Sequence, residues 1–258
     1  LPKVTVVVLN WNNYGDTKRC IESLKKASYL NLEIVVVDNA SKDESGKRLS
    51  HEHPELRFII NPSNLGFAKG CNAGMRIALQ DPECAYILLL NNDCVVTPAF
   101  LEPAIAMAEA NPRIGLVGGK MLLSPELRTI WYAGGHINLW RGRAVVWGQG
   151  EVDDGRYDSP GEVGFVTGAL MLIRREVTKR VGLLPEEYFF GQEEYDYSVN
   201  VRRHGYVLFY VPEFVVYHYC GSSRKLSDCD MAFIYLGYRQ KMILQQKYLS
   251  RIQFAAWR

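Results

Sequence analysis

The feature that most constrains the fold of this chain is an apolar run that stops abruptly at a polar triplet. Residues 86–93 read YILLLNND, so five largely apolar residues are followed by Asn91, Asn92 and Asp93. An uninterrupted run of this length predicts a strand buried on both faces of a parallel sheet. Ligands of open α/β sheets bind beyond the carboxyl ends of such strands, which makes Asp93 a candidate metal ligand beside a phosphate. The alternative is an ordinary turn, in which Asn and Asp are common.

Two earlier apolar runs end in the same way, and two later segments carry similar side chains. The run over residues 4–9 ends at Asn10, and the run over 34–37 ends at Asp38. Residues 189–196 place three carboxylates beside aromatic residues, and a last strand-like run ends at His218. A turn explains each segment separately. Together they predict that polar groups converge at one edge of one sheet.

The order of predicted elements indicates an α/β fold. Alternating strands and helices up to residue 110 predict a Rossmann-like, doubly wound, mostly parallel central sheet. The strands are predicted over residues 4–9, 33–37, 56–60 and 85–90, and the helices over 16–26, 64–79 and 98–110, with Ser41 and Glu44 as a capping box for a short helix.

After residue 115 the pattern predicts a small antiparallel subregion. A hairpin over 130–140 is expected to reverse at 141–143, where Gly142 supplies backbone freedom. Strands are predicted over 115–122, 165–174 and 207–211, and a helix over 193–204. We expect one compact catalytic domain over residues 1–227 and a basic helical segment over 228–258.

Composition excludes several classes of protein. The chain has 258 residues, 48% of them hydrophobic, which indicates a globular domain. Its net charge of +2 argues against a nucleic-acid partner. No apolar run approaches the roughly 20 residues that span a bilayer. The six cysteines show no CxxC spacing, which favours buried thiols in a reducing, cytoplasmic setting over disulfides or a zinc site.

The C-terminal segment allows two interpretations. Residues 231–258 contain no acidic side chain but carry Arg239, Lys241, Lys247, Arg251 and Arg258. One interpretation is a helix packed on the domain with solvated lysines. The other is a basic amphipathic helix lying on the inner face of an anionic membrane, a peripheral contact. The sequence leaves both open.

The polar segments predict the chemistry of sugar transfer to a hydroxyl. Asp93 and His218 suit Mn²⁺ or Mg²⁺, with the imidazole favouring Mn²⁺. Asp38 is a candidate acceptor for a pyrimidine imide. Glu194 is a candidate general base whose pKa is raised by Glu193 and Asp196, although these carboxylates also suit a helix N-terminus.

Weaker signals come from asparagines and tryptophans. Asn64 and Asn72 flank glycines spaced four apart, which predicts ligand contact or, alternatively, close helix packing. Trp131, Trp140 and Trp147 suit a platform for sugar rings or, alternatively, the core of a hairpin.

These motifs resemble family 2 glycosyltransferases, which are inverting enzymes of the GT-A fold, and within them the bacterial branch of rhamnosyltransferases. The matching segments cover nearly the whole chain and are VVLNWN at 7–12, VDNAS at 37–41, NLGFA at 64–68, NAG at 72–74, LNND at 90–93, FVTGA at 165–169, FFGQEEYD at 189–196, RRHGY at 202–206, and His218 with GSS at 221–223.

The resemblance implies a nucleotide-diphosphate sugar donor (dTDP-rhamnose or a UDP-sugar), a glycan or lipid-linked acceptor, and a role in cell-surface polysaccharide biosynthesis. It implies that Asp93 and His218 bind the metal and that Glu194 occupies the position of the catalytic Asp. The remaining implied contacts are Asn10, Asp38, Asn64, Asn72, Asn91, Asn92 and Ser223 toward the nucleotide sugar, and Gly168, Glu193, Asp196 and Trp147 on the acceptor side.

Three residues depart from the family pattern. Asn91 replaces the first Asp of the metal motif, Glu194 is one methylene longer than Asp, and Asn200 stands where relatives often carry Arg. A non-catalytic sugar-nucleotide or glycan-binding module therefore remains an alternative. Nucleotidyl transfer is a weaker one, because the loop after the first strand is neither basic nor glycine-rich.

Overall fold

The computed structural model describes residues 1–219 and 231–257 and shows an α/β fold around a mixed, ten-stranded sheet. In chain order its elements are β1 (Lys3–Asn10), α1 (Tyr14–Leu24), β2 (Leu32–Asp38), α2 (Ser45–Glu52), β3 (Arg57–Ile60), α3 (Phe67–Gln80), β4 (Cys84–Asn91), β5 (Cys94–Val96), α4 (Glu102–Ala110), β6 (Ile114–Leu122), β7 (Ile130–Tyr132), β8 (Gly135–Asn138), β9 (Arg143–Val146), β10 (Gly161–Glu162), β11 (Leu170–Arg174), α5 (Arg175–Arg180), α6 (Glu193–Arg203), β12 (Val207–His218), α7 (Met231–Tyr248) and α8 (Arg251–Trp257).

The parallel half of the sheet aligns the strand ends that the sequence singled out. β1 lies between β4 and β2, and β3 follows β2, all parallel. In this register Asn10 is paired with Asp38, and Leu9 with Asn91. The interior residues of β1, β2 and β4 are almost wholly buried, as the continuous apolar runs predict. The prediction of a doubly wound, mostly parallel sheet is thereby confirmed.

The other half of the sheet is mixed. β11 is antiparallel to both β4 and β6, while β12 runs parallel to β6 and antiparallel to β5. β8 and β9 form a separate hairpin that reverses where expected, with Gly142 at φ +56°. The carboxyl ends of β6 and β12 therefore point to the same edge as those of β1, β2 and β4.

Three sequence-based expectations about local structure are wrong. The strand predicted over 165–174 is confined to Leu170–Arg174, because a turn closed by the Leu170 N–H and the Thr167 carbonyl precedes it. The runs 207–211 and 215–218 belong to one strand, β12, with an irregularity between them. Ser41 does not cap α2, since its hydroxyl bonds to Asp38 instead and Glu44 precedes the helix in a left-handed conformation.

The C-terminal helix α7 packs on the domain through one face. Gln240, Leu244 and Gln245 are each at most 1% exposed, and the Gln245 amide donates to the Trp140 carbonyl over 3.2 Å. Among the described residues, no helix combines the length and apolar character required to cross a membrane.

Candidate active site

The carboxyl ends of β1 and β2 form a closed hydrogen-bond network around Asp38. The Asn10 amide donates to Asp38 Oδ1 over 2.7 Å and lies 2.8 Å from the Ser45 hydroxyl. Ser41 donates to the same carboxylate through its hydroxyl, at 2.6 Å, and its backbone N–H, at 3.0 Å. Asn10 is fully buried, so it orients Asp38 rather than facing a ligand.

Helix α1 joins this network to β4. The Asn92 amide donates to Thr17 Oγ1, which lies 2.8 Å from Asn10 Oδ1. Asn92 is thereby fixed against the first helix. Nothing in the sequence marked Thr17, because it lies inside a helix rather than at a strand end.

The two asparagines near α3 have different environments. Asn64 lies at the sheet edge, where its side-chain oxygen accepts hydrogen bonds from Asn39 and from the Gly66 N–H, both at 2.9 Å. Asn72 is fully buried, and its amide holds both the N–H and the carbonyl of Leu184. The structure therefore gives Asn72 a structural contact with the 184–186 segment instead of the predicted contact with the nucleotide-sugar donor.

Asp93, Cys94 and His218 form a cluster that could hold a metal ion. One ligand atom from each lies within 4.8 Å of the others. His218 Nε2 is 3.0 Å from Asp93 Oδ1, and the Asn91 amide is 3.5 Å from the same nitrogen. Trp131 packs edge-on against the imidazole, with ring centroids 4.4 Å apart. Asn91, the departure from the metal motif, thus contacts the histidine.

The cluster fits a divalent cation. Asp93 Oδ1 is buried, and within the described ranges its 3.0 Å contact with His218 Nε2 lacks the geometry of a hydrogen bond, so the two atoms are placed to share a cation. A carboxylate with an imidazole and a thiol nearby is a donor set that suits Mn²⁺ better than Mg²⁺. Cys94 is one of four described cysteines, and all four are buried.

Glu193 and Glu194 form a coupled pair in the first turn of α6. Glu193 is 3% exposed, and burial, followed by the charge of Glu194, raises the pKa of its carboxyl well above the ordinary value. Burial also raises the pKa of Glu194, while a hydrogen bond from Glu193 opposes that rise. The pair therefore favours one shared proton that resides on Glu193, leaving Glu194 as the ionised carboxylate.

Residues Gly168 and Ala169 link this pair to the metal cluster. The Ala169 carbonyl accepts the Asn91 N–H at 3.0 Å and lies 3.9 Å from Cys94 Sγ. On the other side, a Cβ added at Gly168 would lie 3.8 Å from Glu194 Cβ. The candidate base and the candidate metal ligands are thus separated by two small residues.

Asp196 does not face the sheet edge as expected. It is 1% exposed and accepts hydrogen bonds from Tyr188 at 2.9 Å, from Lys247 at 2.7 Å and from the Tyr248 hydroxyl. The predicted acceptor-side role is therefore corrected: Asp196 fastens α7 to α6. The sequence did not predict these contacts, because Lys247 and Tyr248 lie 51 and 52 positions further along the chain.

Of the three tryptophans near the hairpin, Trp131 packs against the core, whereas Trp140 and Trp147 are exposed. Trp140 is 48% exposed and Trp147 is 38% exposed. Trp147 lines a cavity of about 190 Å³ together with Arg156, Tyr157 and Tyr210. The expectation of a hairpin core is wrong for these two. Ser223 lies outside the described residues.

Comparisons with known proteins agree with this geometry. Residues 5–182 match the model of glycosyl transferase family 2. The chain is 24% identical over 234 residues to an N-acetylglucosaminyl-diphospho-decaprenol L-rhamnosyltransferase of Mycobacterium tuberculosis, covering 83% of this chain and 75% of that protein. It is 21% identical over 203 residues to a low-salt glycan biosynthesis hexosyltransferase of Haloferax volcanii, covering 79% of this chain and 62% of that protein.

Two solved structures share the fold. GalNAc-T7 with UDP, GalNAc and Mn²⁺ superposes with a TM-score of 0.65 at 18% identity, over 84% of this chain and 44% of that one. A mannosyltransferase of Pyrobaculum calidifontis with GDP-Man and Mn²⁺ gives 0.60 at 17% identity, over 99% of this chain and 74% of that one. The family match covers more than half of the chain, which therefore belongs to glycosyl transferase family 2 and is a glycosyltransferase of the GT-A fold.

Proposed function

We propose that this glycosyltransferase moves a sugar from a nucleotide-diphosphate sugar to a hydroxyl of a glycan or lipid-linked glycan, with inversion at the anomeric carbon. The observation that carries the proposal is the placement of Glu194 and the Asp93–His218 cluster on either side of Gly168 and Ala169. A single in-line displacement requires a base and a leaving-group site on opposite sides of the anomeric carbon.

The leaving-group side belongs to Asp93 and His218, which would hold Mn²⁺ or Mg²⁺. A bound cation supplies Lewis-acid neutralisation of the departing diphosphate. Asn91 lies 3.5 Å from His218 Nε2, on the side of the ring that faces the ion site, and Trp131 restricts the rotation of the imidazole.

The attacking side belongs to Glu194. It accepts the proton of the acceptor hydroxyl while that oxygen bonds to the anomeric carbon and the bond from that carbon to the diphosphate breaks. A carboxylate whose pKa is raised by burial is a stronger base than an exposed one. Glu193 keeps its own proton and holds Glu194 in place through the shared hydrogen bond.

The substrates are proposed from the site and the relatives together. Asp38 is buried and oriented at the carboxyl end of β2, where it would accept the imide of a uracil or thymine base. A dTDP-rhamnose or UDP-sugar donor is consistent with such a contact and with the rhamnosyltransferase relative. The cavity beside Trp147 offers an aromatic face for a ring of the acceptor. The buried thiols of the described cysteines suit a reducing, cytoplasmic setting.

Calorimetric titration of UDP-, dTDP- and GDP-sugars, with and without Mn²⁺, tests the proposal. We expect one donor class to bind in a Mn²⁺-dependent manner and Asp93→Ala to abolish that dependence. Glu194→Gln should bind the same donor normally, because the base does not hold the diphosphate. Donor binding without turnover under any acceptor would favour a non-catalytic module, and no binding to any sugar nucleotide would overturn the assignment of the donor.

A further inference from the structure

Helix α7 has an outer face that the described part of the domain leaves exposed. Four large side chains along it are exposed by 44%, 72%, 65% and 42%, and we call them the α7 stripe: Ile234, Tyr235, Tyr238 and Met242. Their spacing of three and four residues places them on one side of the helix, opposite the buried Gln240 and Leu244. The stripe ends at Met242, because Gln245 on the same side is buried against the domain. A continuous exposed apolar face of this kind marks an interaction surface.

Cations border the stripe on both sides. Arg239 follows Tyr235 by four residues, and Lys241 follows Ile234 by seven, so each lies beside one flank. The sequence of residues 231–258 contains no acidic side chain that could neutralise them. Helix α8 continues the pattern with Arg251 and with Ile252, which is 83% exposed, and none of its described residues is buried.

We propose that the α7 stripe docks this protein on an anionic lipid surface. Tyrosines and aliphatic side chains enter the interfacial region of a bilayer, while the flanking cations attract acidic headgroups. A second copy of the chain is a poorer occupant, because a twofold contact across the stripe would bring Arg239 and Lys241 of both copies together. Charge therefore selects lipid over self-association.

Docking through α7 would also position the reacting groups. Lys247 and Tyr248, on the same helix, bond to Asp196 of α6, whose first turn carries Glu194. The base would then be held at a fixed height above the lipid surface, where a lipid-linked acceptor presents its sugar. This consequence rests on the proposed function, whereas lipid binding itself does not.

Vesicle sedimentation with the full chain tests the inference without any donor or acceptor. We expect binding to vesicles of phosphatidylcholine mixed with phosphatidylglycerol, weakened by added salt, and little binding to phosphatidylcholine alone. Replacing both cations, Arg239→Gln with Lys241→Gln, should weaken binding on the order of 20-fold, since each cation near the surface contributes roughly fivefold. Tyr235→Ser with Tyr238→Ser should weaken it as well.

Exposed apolar residues elsewhere provide the matched control. Leu127 and Ile60 are 64% and 59% exposed, and Leu127→Ser with Ile60→Ser should leave vesicle binding unchanged. Thermal unfolding checks that all variants fold. Absence of binding by the unmodified chain, or equal binding by the stripe variants, overturns the inference. So does a dimer in analytical ultracentrifugation that the Tyr235→Ser, Tyr238→Ser variant dissociates, because the stripe would then be a protein interface.

Discussion

The two sides of the candidate active site satisfy their polar groups in opposite ways. At the ends of β1 and β2 the side chains bond to one another, with Asn10 and Ser41 holding both oxygens of Asp38. Across the site three buried oxygens have no well-formed hydrogen bond among the described residues. They are Asp93 Oδ1, which lies 3.0 Å from His218 Nε2, Gln192 Oε1 and Glu193 Oε2.

This difference indicates which side binds and which side reacts. A buried polar group without a partner costs about 1–3 kcal/mol, so a ligand that supplied a cation or a donor to these oxygens would gain free energy there. Other such atoms among the described residues, including those of Gln240 and Gln245 on α7, lie outside this site. The self-satisfied side is a rigid support for a ligand. The unsatisfied side leaves lone pairs available for a metal and for proton transfer, and its substitution should affect turnover more than fold.

The largest expected effect separates turnover from binding. Glu194→Gln keeps the shape of the side chain but removes the proton acceptor, so kcat should fall by about 10²–10⁴-fold. Nucleoside diphosphate release measures kcat, and calorimetry should show unchanged donor affinity. Glu126→Gln, an exposed carboxylate between β6 and β7, is the control. Full turnover by Glu194→Gln would remove this residue from the mechanism.

A smaller effect is expected where α7 is fastened to α6. Lys247→Met leaves the buried Asp196 carboxylate with only its two tyrosine donors. A hydrogen bond to a charged group contributes about 1.5–3 kcal/mol, and because the Lys247 side chain is 41% exposed we expect a loss of about 1 kcal/mol in the free energy of unfolding. Urea denaturation measures it.

The neighbouring Gln246→Met provides the comparison on the same helix, since Gln246 is exposed. It should unfold at the wild-type midpoint. Equal stability of Lys247→Met and Gln246→Met would show that the contact with Asp196 contributes nothing.

Site residues at strand ends were predictable from the sequence, whereas residues with partners on distant segments were not. Asp38, Asp93 and His218 were predicted because each terminates an apolar run, and a run's end maps directly onto a sheet edge. Asn72 and Asp196 were misplaced because their partners lie on distant segments, at Leu184 and at Lys247. Burial and pairing of such residues depend on tertiary packing, which a local pattern does not encode.

Contacts made by residues inside helices were also not predictable from local patterns. Asn92 joins α1 to the Asp38 network through the hydroxyl of Thr17, a residue that belongs to no motif. The C-terminal helix was correctly identified as basic, but its division into a packed face and an exposed face required the neighbours Trp140 and Asp196.

The last expected effect is a shift of the pH–rate profile and concerns the proton on Glu193. Glu194 must be ionised to act as base, so activity is present above its folded-state pKa and is lost as the pH falls through it. Burial raises that pKa, which places the acidic limb of the pH–rate profile above the ordinary Glu value of 4.5. The hydrogen bond from Glu193 opposes the rise, and its removal should move the limb to higher pH.

Two substitutions at Glu193 isolate this hydrogen bond. Glu193→Leu removes the donor. A hydrogen bond to a charged group is worth about 1.5–3 kcal/mol and one pKa unit about 1.4 kcal/mol, so we expect the acidic limb of kcat to rise by about one to two pH units. Glu193→Gln retains an N–H donor and should leave the limb near its wild-type position. A merely structural role would lower kcat equally at every pH. If the acidic limb of both variants lay at the wild-type pH, the hydrogen bond from Glu193 would have no effect on the pKa of Glu194. The unpartnered oxygens on this side would then serve only the metal and the acceptor.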